Sequence, residues 1–404
     1  MQPRRIVVVG TMASLPYAGM AWMNMQLVVG LRRLGHDAYY FETTSAWPFD
    51  PVQNTRENEG AHAVSYLARV AARFDLANRW AYRRSYSDKQ WFGFSRSRAE
   101  ELLANADAVL NVTGATRFGE EDLTVGRLIY FGTDPVIHEI SYASGSEETQ
   151  QIVEEHDDIV TYGENIGNPD CPVPPLPRLR AKTRQPVLLD HWEAGPPRRG
   201  EFTTVCNWRQ GGRDVQFRGE TYLWSKHLEF LKFIELPLLV RQPVELAMGL
   251  VDPSTIRHGP GEAVPALGLP AEDRSLLESN FWKLADSRSF STDPWAYRDY
   301  IVSSRGEFTV ARDLNVRLRS GWFSERSACY LAAGRPVITQ DTGFGAVLPT
   351  GEGLFAFNTL DEIVDAFDAI RLDYEKHSRA ARAIAQEYFR AESVLAKLLR
   401  DLNL

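Results

Sequence analysis

The feature that most constrains the fold is where the apolar runs stop. Residues 6–9 (IVVV) meet Gly10 at once, a loop containing Pro16 follows, and residues 20–34 read as a helix closed by Gly35. Residues 36–41 then read as a second strand. Short β-branched runs bounded by glycine suit buried parallel strands. A strand–helix–strand opening of this kind begins most doubly wound domains. The pattern recurs. Ala108–Val112 (AVLNV) ends in Thr113 and Gly114, residues 127–131 (RLIYF) end in Gly132, Thr133, Asp134 and Pro135, and residues 158–162 end in Gly163, Glu164 and Asn165. Small and polar residues therefore collect at the carboxyl ends of strands, where open α/β sheets bind their ligands.

A chain of 404 residues with 44% hydrophobic content is too long for one ordinary core, and two Rossmann-like α/β domains are the natural division. Between residues 171 and 197 lie Pro172, Pro174, Pro175, Pro177, Pro186, Pro196 and Pro197, a density that disfavours helix and central strand. This stretch is the expected linker, with an N-terminal domain over 1–193 and a C-terminal domain over 194–404. The second domain opens with residues 202–206 (FTTVC). Toward the end, Thr359 and Glu362 form a T-x-x-E capping box ahead of an apolar-periodic helix. Further helices are expected over about 374–389 and from about 393. Residues 42–100 carry no clear pattern, and no internal repeat is visible.

Several function classes are disfavoured. The formal net charge of −8 leaves no uniformly basic footprint for nucleic acid. Three widely spaced cysteines, Cys171, Cys206 and Cys329, argue against a disulfide framework or a structural zinc site and fit a reducing cytosol, so a cytoplasmic location is expected. The opening apolar run is too short for a secretory segment, and no stretch approaches the ~20 apolar residues of a membrane span. Asn111 to Thr113 forms a glycosylation sequon of no expected use in such a setting. No G-x-G-x-x-G follows the first strand, which speaks against a dinucleotide oxidoreductase.

The segment richest in chemical possibility runs from Arg319 to Phe344. A loop ends at Ser324, a good helix N-cap, a short helix follows to Ala333 and Gly334, and a strand then ends in Gln340, Asp341, Thr342 and Gly343. A helix N-terminus offers free N–H donors and the positive end of its dipole to phosphate. Ser324, Glu325, Arg326 and Ser327 would sit at that start, with Gln340 to Gly343 close by for sugar hydroxyls. A second group lies after the first strand of the same domain: Asn207, Trp208 and Arg209, with Lys226 in the helix beyond.

The run A-A-G-R-P-V at residues 332–337, preceded by a helix and followed by a strand and T-G-F, resembles the donor-site segment of GT-B glycosyltransferases, where E-A-x-x-x-G-x-P-V precedes a glycine-containing loop. The G-x-G-L at residues 351–354 and the capped helix after it look similar too, and so, more loosely, does the first helix ending in Leu34, Gly35, His36 and Asp37. The resemblance implies two Rossmann-like domains facing across a cleft, with a last helix returning to the N-terminal domain. It implies a bacterial, metal-independent transferase that moves a sugar from a nucleotide-sugar to a hydroxyl-bearing acceptor, of natural-product or cell-envelope type. The nucleotide-sugar is a co-substrate, and no cofactor is expected. Metal-independent members place basic residues like Arg209 and Lys226 against the diphosphate, where preorganised cations stabilise the charge of the leaving group. No D-x-D pair is present for a cation, and no histidine spacing suits zinc. One departure stands out. The acidic residue expected five positions before the glycine, for the ribose, is Cys329, and Glu325 one turn earlier is the available substitute.

An inverting transferase needs a general base near the acceptor hydroxyl. Asp134 is the first candidate, ahead of His138 and Glu164, while Thr11, Gly19 and Met20 flank the first loop on the acceptor side. Trp208 or Trp322 could stack on a base or sugar, although core packing is the commoner fate of tryptophan. Two rival functions remain: a non-catalytic sugar- or nucleotide-binding protein of the same fold, and a sugar-nucleotide epimerase.

Overall fold

The computed structural model describes residues 2–51, 55–250 and 268–404. The chain divides into two compact units. Unit 1 comprises Met1–Gly163, Pro174–Leu188 and Ala391–Leu404, and unit 2 comprises Glu164–Val173 and Leu189–Arg390. The sequence suggested one boundary near residue 193. The chain instead passes between the units several times, and the proline-rich stretch contributes to both.

Unit 1 contains β1 (Arg5–Val9), α1 (Ala18–Arg33), β2 (Asp37–Thr43), the short pair β3 (Phe49–Asp50) and β4 (Thr55–Arg56), α2 (Ala61–Arg73), β5 (Trp80–Arg83), β6 (Trp91–Phe92), α3 (Arg96–Ala104), β7 (Ala108–Val112), β8 (Leu128–Gly132), α4 (Ile137–Ala143), α5 (Glu147–Glu154), β9 (Asp158–Thr161) and β10 (Leu179–Lys182). Its main sheet has the order β10-β9-β8-β7-β1-β2-β5-β6 and is parallel except for the last pair. β1 lies at its middle, with all four of Ile6, Val7, Val8 and Val9 fully buried, as strands covered on both faces require. The strand order turns on either side of β1, so the loops after β1 and β7 lie where such sheets open toward a ligand.

Two expectations are corrected here. Residues 171–197 are more than a linker: β10 lies between Pro177 and Pro186 and takes the sheet edge, the position at which nearby prolines do least harm to a ladder. Residues 42–100, unpatterned in sequence, hold α2, β5, β6 and the start of α3.

Unit 2 contains β11 (Phe202–Val205), the hairpin β12 (Val215–Phe217) and β13 (Glu220–Tyr222), α6 (His227–Leu231), α7 (Leu236–Leu239), β14 (Val244–Met248), α8 (Ala271–Ser279), β15 (Lys283–Asp286), α9 (Pro294–Ser303), β16 (Gly306–Thr309), α10 (Asp313–Arg317), α11 (Glu325–Ala332), β17 (Val337–Gln340), β18 (Leu354–Phe357), α12 (Leu360–Leu372) and α13 (Tyr374–Ile384). The six-stranded parallel sheet runs β15-β14-β11-β16-β17-β18. Its core is aromatic: Phe202, Trp208, Phe230, Phe308 and Phe357 pack together, and Phe308 and Phe357 stack with centroids 5.6 Å apart. Thr359 accepts from the Glu362 amide while the Glu362 carboxylate accepts from the Thr359 and Asn358 amides, so the expected capping box starts α12.

The last helix, α14 (Ala391–Asp401), returns to unit 1 and packs on α1. A Cβ on Gly30 of α1 would come within 2.5 Å of Leu395 Cδ1, so glycine there allows the close approach. Covered by the sheet on one side and α14 on the other, α1 buries residues around most of its circumference, from Trp22 and Met25 to Leu27, Val28 and Leu31. Among the described residues, no helix is long and apolar enough to cross a membrane.

Candidate functional site

In unit 2 the strand order turns between β11 and β16, and the loops beyond those strands gather the charges singled out in the sequence. After β11, Trp208 turns inward and is buried, its Nε1 donating to Asp273 Oδ2 at 2.8 Å. Arg209 clasps the same carboxylate with Nε at 2.6 Å and Nη2 at 2.9 Å, the bidentate geometry that suits a guanidinium. Those bonds hold the Asp273 carboxyl below its ordinary pKa. The Arg209 side chain remains 48% exposed. Asn207, one residue before Trp208, is exposed.

Lys226 differs. It stands immediately before α6 rather than within it, and Phe230 N donates to its carbonyl. The residue is 7% exposed, and its ammonium has no hydrogen-bond acceptor among the described residues; Nζ lies 5.6 Å from the centre of the Trp322 ring. Burial, followed by the positive charges of Arg326 and Arg312, pushes its pKa down to about 7. A buried lysine whose ammonium has no acceptor is costly, and folded chains rarely keep one without a use for it.

Arg326, in the first turn of α11, points into the unit. It donates through Nε to Glu307 Oε1, through Nη1 to Val205 O at 2.6 Å, and through Nη2 to Thr309 Oγ1 at 3.0 Å, tying α11 to the ends of β11 and β16. Its pKa is raised: burial on its own would lower it, and the Glu307 carboxylate outweighs that. Ser324 occupies the N-cap position of α11 with extended backbone, but its side chain makes no capping bond. The Ser327 hydroxyl is fully buried and has no hydrogen-bond partner among the described residues. The Cys329 thiol donates to Glu325 Oε1 at 3.2 Å, so the residue in the expected acidic position and its substitute touch along one helix face.

The loop after β17 is bound to the loop before α11. Gly321 N donates to Thr342 O at 2.8 Å, Thr342 Oγ1 to Trp322 O, Gly343 N to Asp341 Oδ1 at 2.8 Å, and Arg319 Nη1 to Asp341 Oδ2 at 3.2 Å. Asn165 caps this join, donating from its side chain to Arg319 O at 2.8 Å and from its backbone to Ser320 O at 3.1 Å. Gly321 has φ of 76°, and a Cβ there would fall 2.5 Å from Asn165 N, so only glycine fits. Gln340 is buried and braces the interior, accepting from Ala311 N and donating to Glu229 Oε2 at 2.8 Å. Of the residues expected to reach a donor, Arg326, Gln340 and Thr342 are thus engaged within the unit, while Asn207, Lys226 and the start of α11 remain at its strand ends.

In unit 1, α1 begins at Ala18, so Gly19 belongs to its first turn rather than to the loop, together with Met20, and Thr11 O accepts from Leu15 N inside that loop. Nothing in the local sequence singles out Glu42. It lies next to the end of β2, fully buried, and closes the β1 loop by accepting from Ala13 N at 2.8 Å, Ser14 N at 2.6 Å and Tyr40 Oη at 2.9 Å. Burial raises its pKa to about 7 against those hydrogen bonds. The signal available was an acidic residue at a strand end, and without knowledge of strand pairing it could not be placed beside Ala13.

Asp134 and His138 share the turn from β8 into α4, where the Tyr130 hydroxyl and His138 Nδ1 are hydrogen-bonded. Between them Val136 has φ of 94°, a strained backbone for a β-branched residue, fixed by its amide donating to the buried Glu139 at 2.7 Å. Strain of this kind clusters at functional turns. Glu164 lies in unit 2, so the three candidate bases do not form one cluster within unit 1. Among the described residues, no group of three His, Cys, Asp or Glu side chains is placed to hold a metal ion.

An α-glucosyltransferase solved with UDP and a 13-mer DNA matches all of this chain over all of its own length, with a TM-score of 0.59 at 9% identity. HepE from Anabaena, solved with UDP-glucose, matches over 99% of both chains with a TM-score of 0.55 at 10% identity. The fold is GT-B. AviGT4, a glycosyltransferase involved in avilamycin A biosynthesis, shares it over 99% of this chain and 97% of its own, with a TM-score of 0.50 at 12% identity. No protein-family model and no curated protein sequence matches the chain. At such identities the likeness establishes the GT-B fold, and the chemistry has to be argued from the residues.

Proposed function

We propose that the protein is a glycosyltransferase that moves a sugar from a nucleotide-diphosphate sugar to a hydroxyl group. The observation that carries this reading is Lys226: a buried cation, without an acceptor among the described residues, beyond β11 and within 5.6 Å of the Trp322 ring. A diphosphate supplies the hydrogen-bond acceptor that the ammonium lacks among the described residues. In the reaction, the acceptor oxygen bonds to the anomeric carbon as the bond to the diphosphate breaks. The diphosphate departs with the electron pair, and a cation held out of water stabilises it most in the transition state. Asn207, Ser324, Glu325, Ser327 and the α11 amides are the further donor-side contacts, with Asp341 and Gly343 nearest the sugar. Asp134, ahead of His138 and Glu164, takes the acceptor proton if the reaction inverts configuration. The charge balance is proposed to rest on side chains, without a metal. That HepE and the α-glucosyltransferase were solved with UDP or UDP-glucose supports a uridine nucleotide as the first one to try.

The second reading, a non-catalytic sugar- or nucleotide-binding protein, is favoured by one observation: the ribose-side acid is replaced by Cys329, whose thiol is spent on Glu325. Calorimetric titration of UDP, dTDP, GDP and ADP without metal is the decisive start, followed by turnover with the nucleotide-sugar of whichever binds. One nucleotide is expected to bind in the micromolar range and to lose about 1.5–3 kcal/mol in Lys226→Met. Binding by none of the four, or equal binding by the variant, removes the reading. Binding without transfer to any hydroxyl acceptor leaves the non-catalytic protein, and product formed from donor alone leaves the epimerase.

A further inference from the structure

Unit 1 carries a groove of about 640 Å³ within the stretch 42–100, apart from the strand-end residues described above, a size that suits a small ligand. One wall is the start of α2, with Ala61, Val64 and Ser65, and the other is the turn from β5 to β6, with Arg84, Ser87, Gln90 and Phe92. Its most conspicuous charge is already spent. Arg84 binds Asp88 with Nε at 2.8 Å and Nη2 at 2.5 Å, Glu59 O with Nη1 at 2.7 Å, and Gln90 Oε1 with Nη2 at 2.9 Å, while its guanidinium lies 5.5 Å from the Phe92 ring centre. Asp88 is correspondingly held below the ordinary carboxylate range, at about 2.

What the groove still offers is neutral or negative. The Asn58 amide, the Ser65 and Ser87 hydroxyls, Gln90 Nε2 and the Glu59 carboxylate have no side-chain hydrogen-bond partner among the described residues, and all five residues are exposed. An anionic ligand finds no unpaired cation here and meets Glu59. An apolar ligand would strand the amides and the carboxylate. The remaining match is a neutral molecule rich in hydroxyl groups with an apolar face: hydroxyls for the planar amide and carboxylate groups, and C–H surface for Val64, Ala61 and Phe92.

We propose that this groove binds an oligosaccharide. The binding stands by itself. That the glycan is the acceptor of the transfer reaction, or an extension of it, rests on the glycosyltransferase reading.

The test uses the full chain and neutral tetrasaccharides of glucose, mannose, galactose and N-acetylglucosamine, followed by saturation-transfer NMR and calorimetry. Ser65→Trp fills the groove from an exposed helix position, and Gln90→Ala removes one amide; thermal melting confirms that both fold. At least one tetrasaccharide is expected to bind. Gln90→Ala should weaken it several-fold, as loss of one hydrogen bond does, and Ser65→Trp should weaken it at least about tenfold. UDP binding should be the same in all three proteins. The proposal fails if no neutral tetrasaccharide binds at ~10 mM, beyond the range of useful weak affinity, if Ser65→Trp binds as the wild type does, or if a sulfated tetrasaccharide binds more tightly than the neutral ones. Tetrasaccharide binding that survives a failure of all nucleotides to bind would keep the groove and remove the transferase. Nucleotide binding without tetrasaccharide binding would do the reverse.

Discussion

The two units place a loop after a central strand in the same topological position and fill it in opposite ways. After β1, the amides of Ala13 and Ser14 close on the chain's own carboxylate, Glu42. After β11, the chain brings up Lys226 and supplies no acceptor for it among the described residues. Loop amides at such positions are the usual phosphate cradle of this class of sheet. In unit 1 an internal anion already occupies that role, and in unit 2 a lysine with no hydrogen-bond acceptor among the described residues stands beside the loop. This difference is the ground on which unit 2 is proposed for the nucleotide.

The two loops differ most at Lys226. Lys226→Met should cost nucleotide affinity about 1.5–3 kcal/mol and at the same time raise the melting temperature, since it removes a buried charge that has no hydrogen-bond acceptor among the described residues. A variant that both binds and melts as the wild type does would mean that the ammonium is solvated. Glu42→Gln should do the reverse. It places an amide NH₂ against the Ala13 or Ser14 amide, should cost roughly 1–3 kcal/mol of stability in chemical denaturation, and should leave nucleotide affinity unchanged. Lost nucleotide binding in Glu42→Gln would put the anion site in the wrong unit.

The two groups also respond to pH in opposite directions. A raised acid is uncharged in both states at low pH, so the penalty for ionising Glu42 is absent below about 4.5 and grows as pH rises to about 7. A lowered base is charged in both states at low pH, so the penalty for Lys226 is present up to about 7 and is relieved between about 7 and 10.5. These two groups therefore cost the fold most near neutrality. The stabilising effect of Lys226→Met should shrink above pH 7, and nucleotide affinity should fall over the same range as the free ammonium loses its proton. Denaturation curves and titrations at pH 6, 7.5 and 9 measure both. The smallest effect is expected at Arg209: Arg209→Ala should change nucleotide affinity by less than about 1 kcal/mol, because its guanidinium is spent on Asp273 and half exposed. A loss as large as that of Lys226→Met would show that Arg209 leaves Asp273 when the nucleotide arrives.

The strands that carry the sites were legible because they are short apolar or β-branched runs that stop at small or polar residues: β7 spans Ala108–Val112 as read, and β1 and β11 begin within a residue of expectation. The capping box of α12 was legible for the same local reason. Direction was not. Sequence marks Arg326 and Gln340 as polar residues at element ends, but their partners, Glu307 and Glu229, are 19 and 111 positions away, and only the packed sheet turns those side chains inward. Glu42 was illegible for a related reason. It matters through the pairing of β1 with β2, which one sequence does not disclose.

The return of α14 to unit 1 bears on how the protein is made. A ribosome releases the strands of unit 1 first, yet the helix that covers α1 at Gly30 and Leu395 is synthesised only after all of unit 2. Unit 2 has its whole core in hand before the exposed flank of α1 is covered. The unit that begins the chain is therefore the last to be completed, and a nascent chain halted before Ala391 leaves the ribosome with an apolar helix face open to chaperones and proteases.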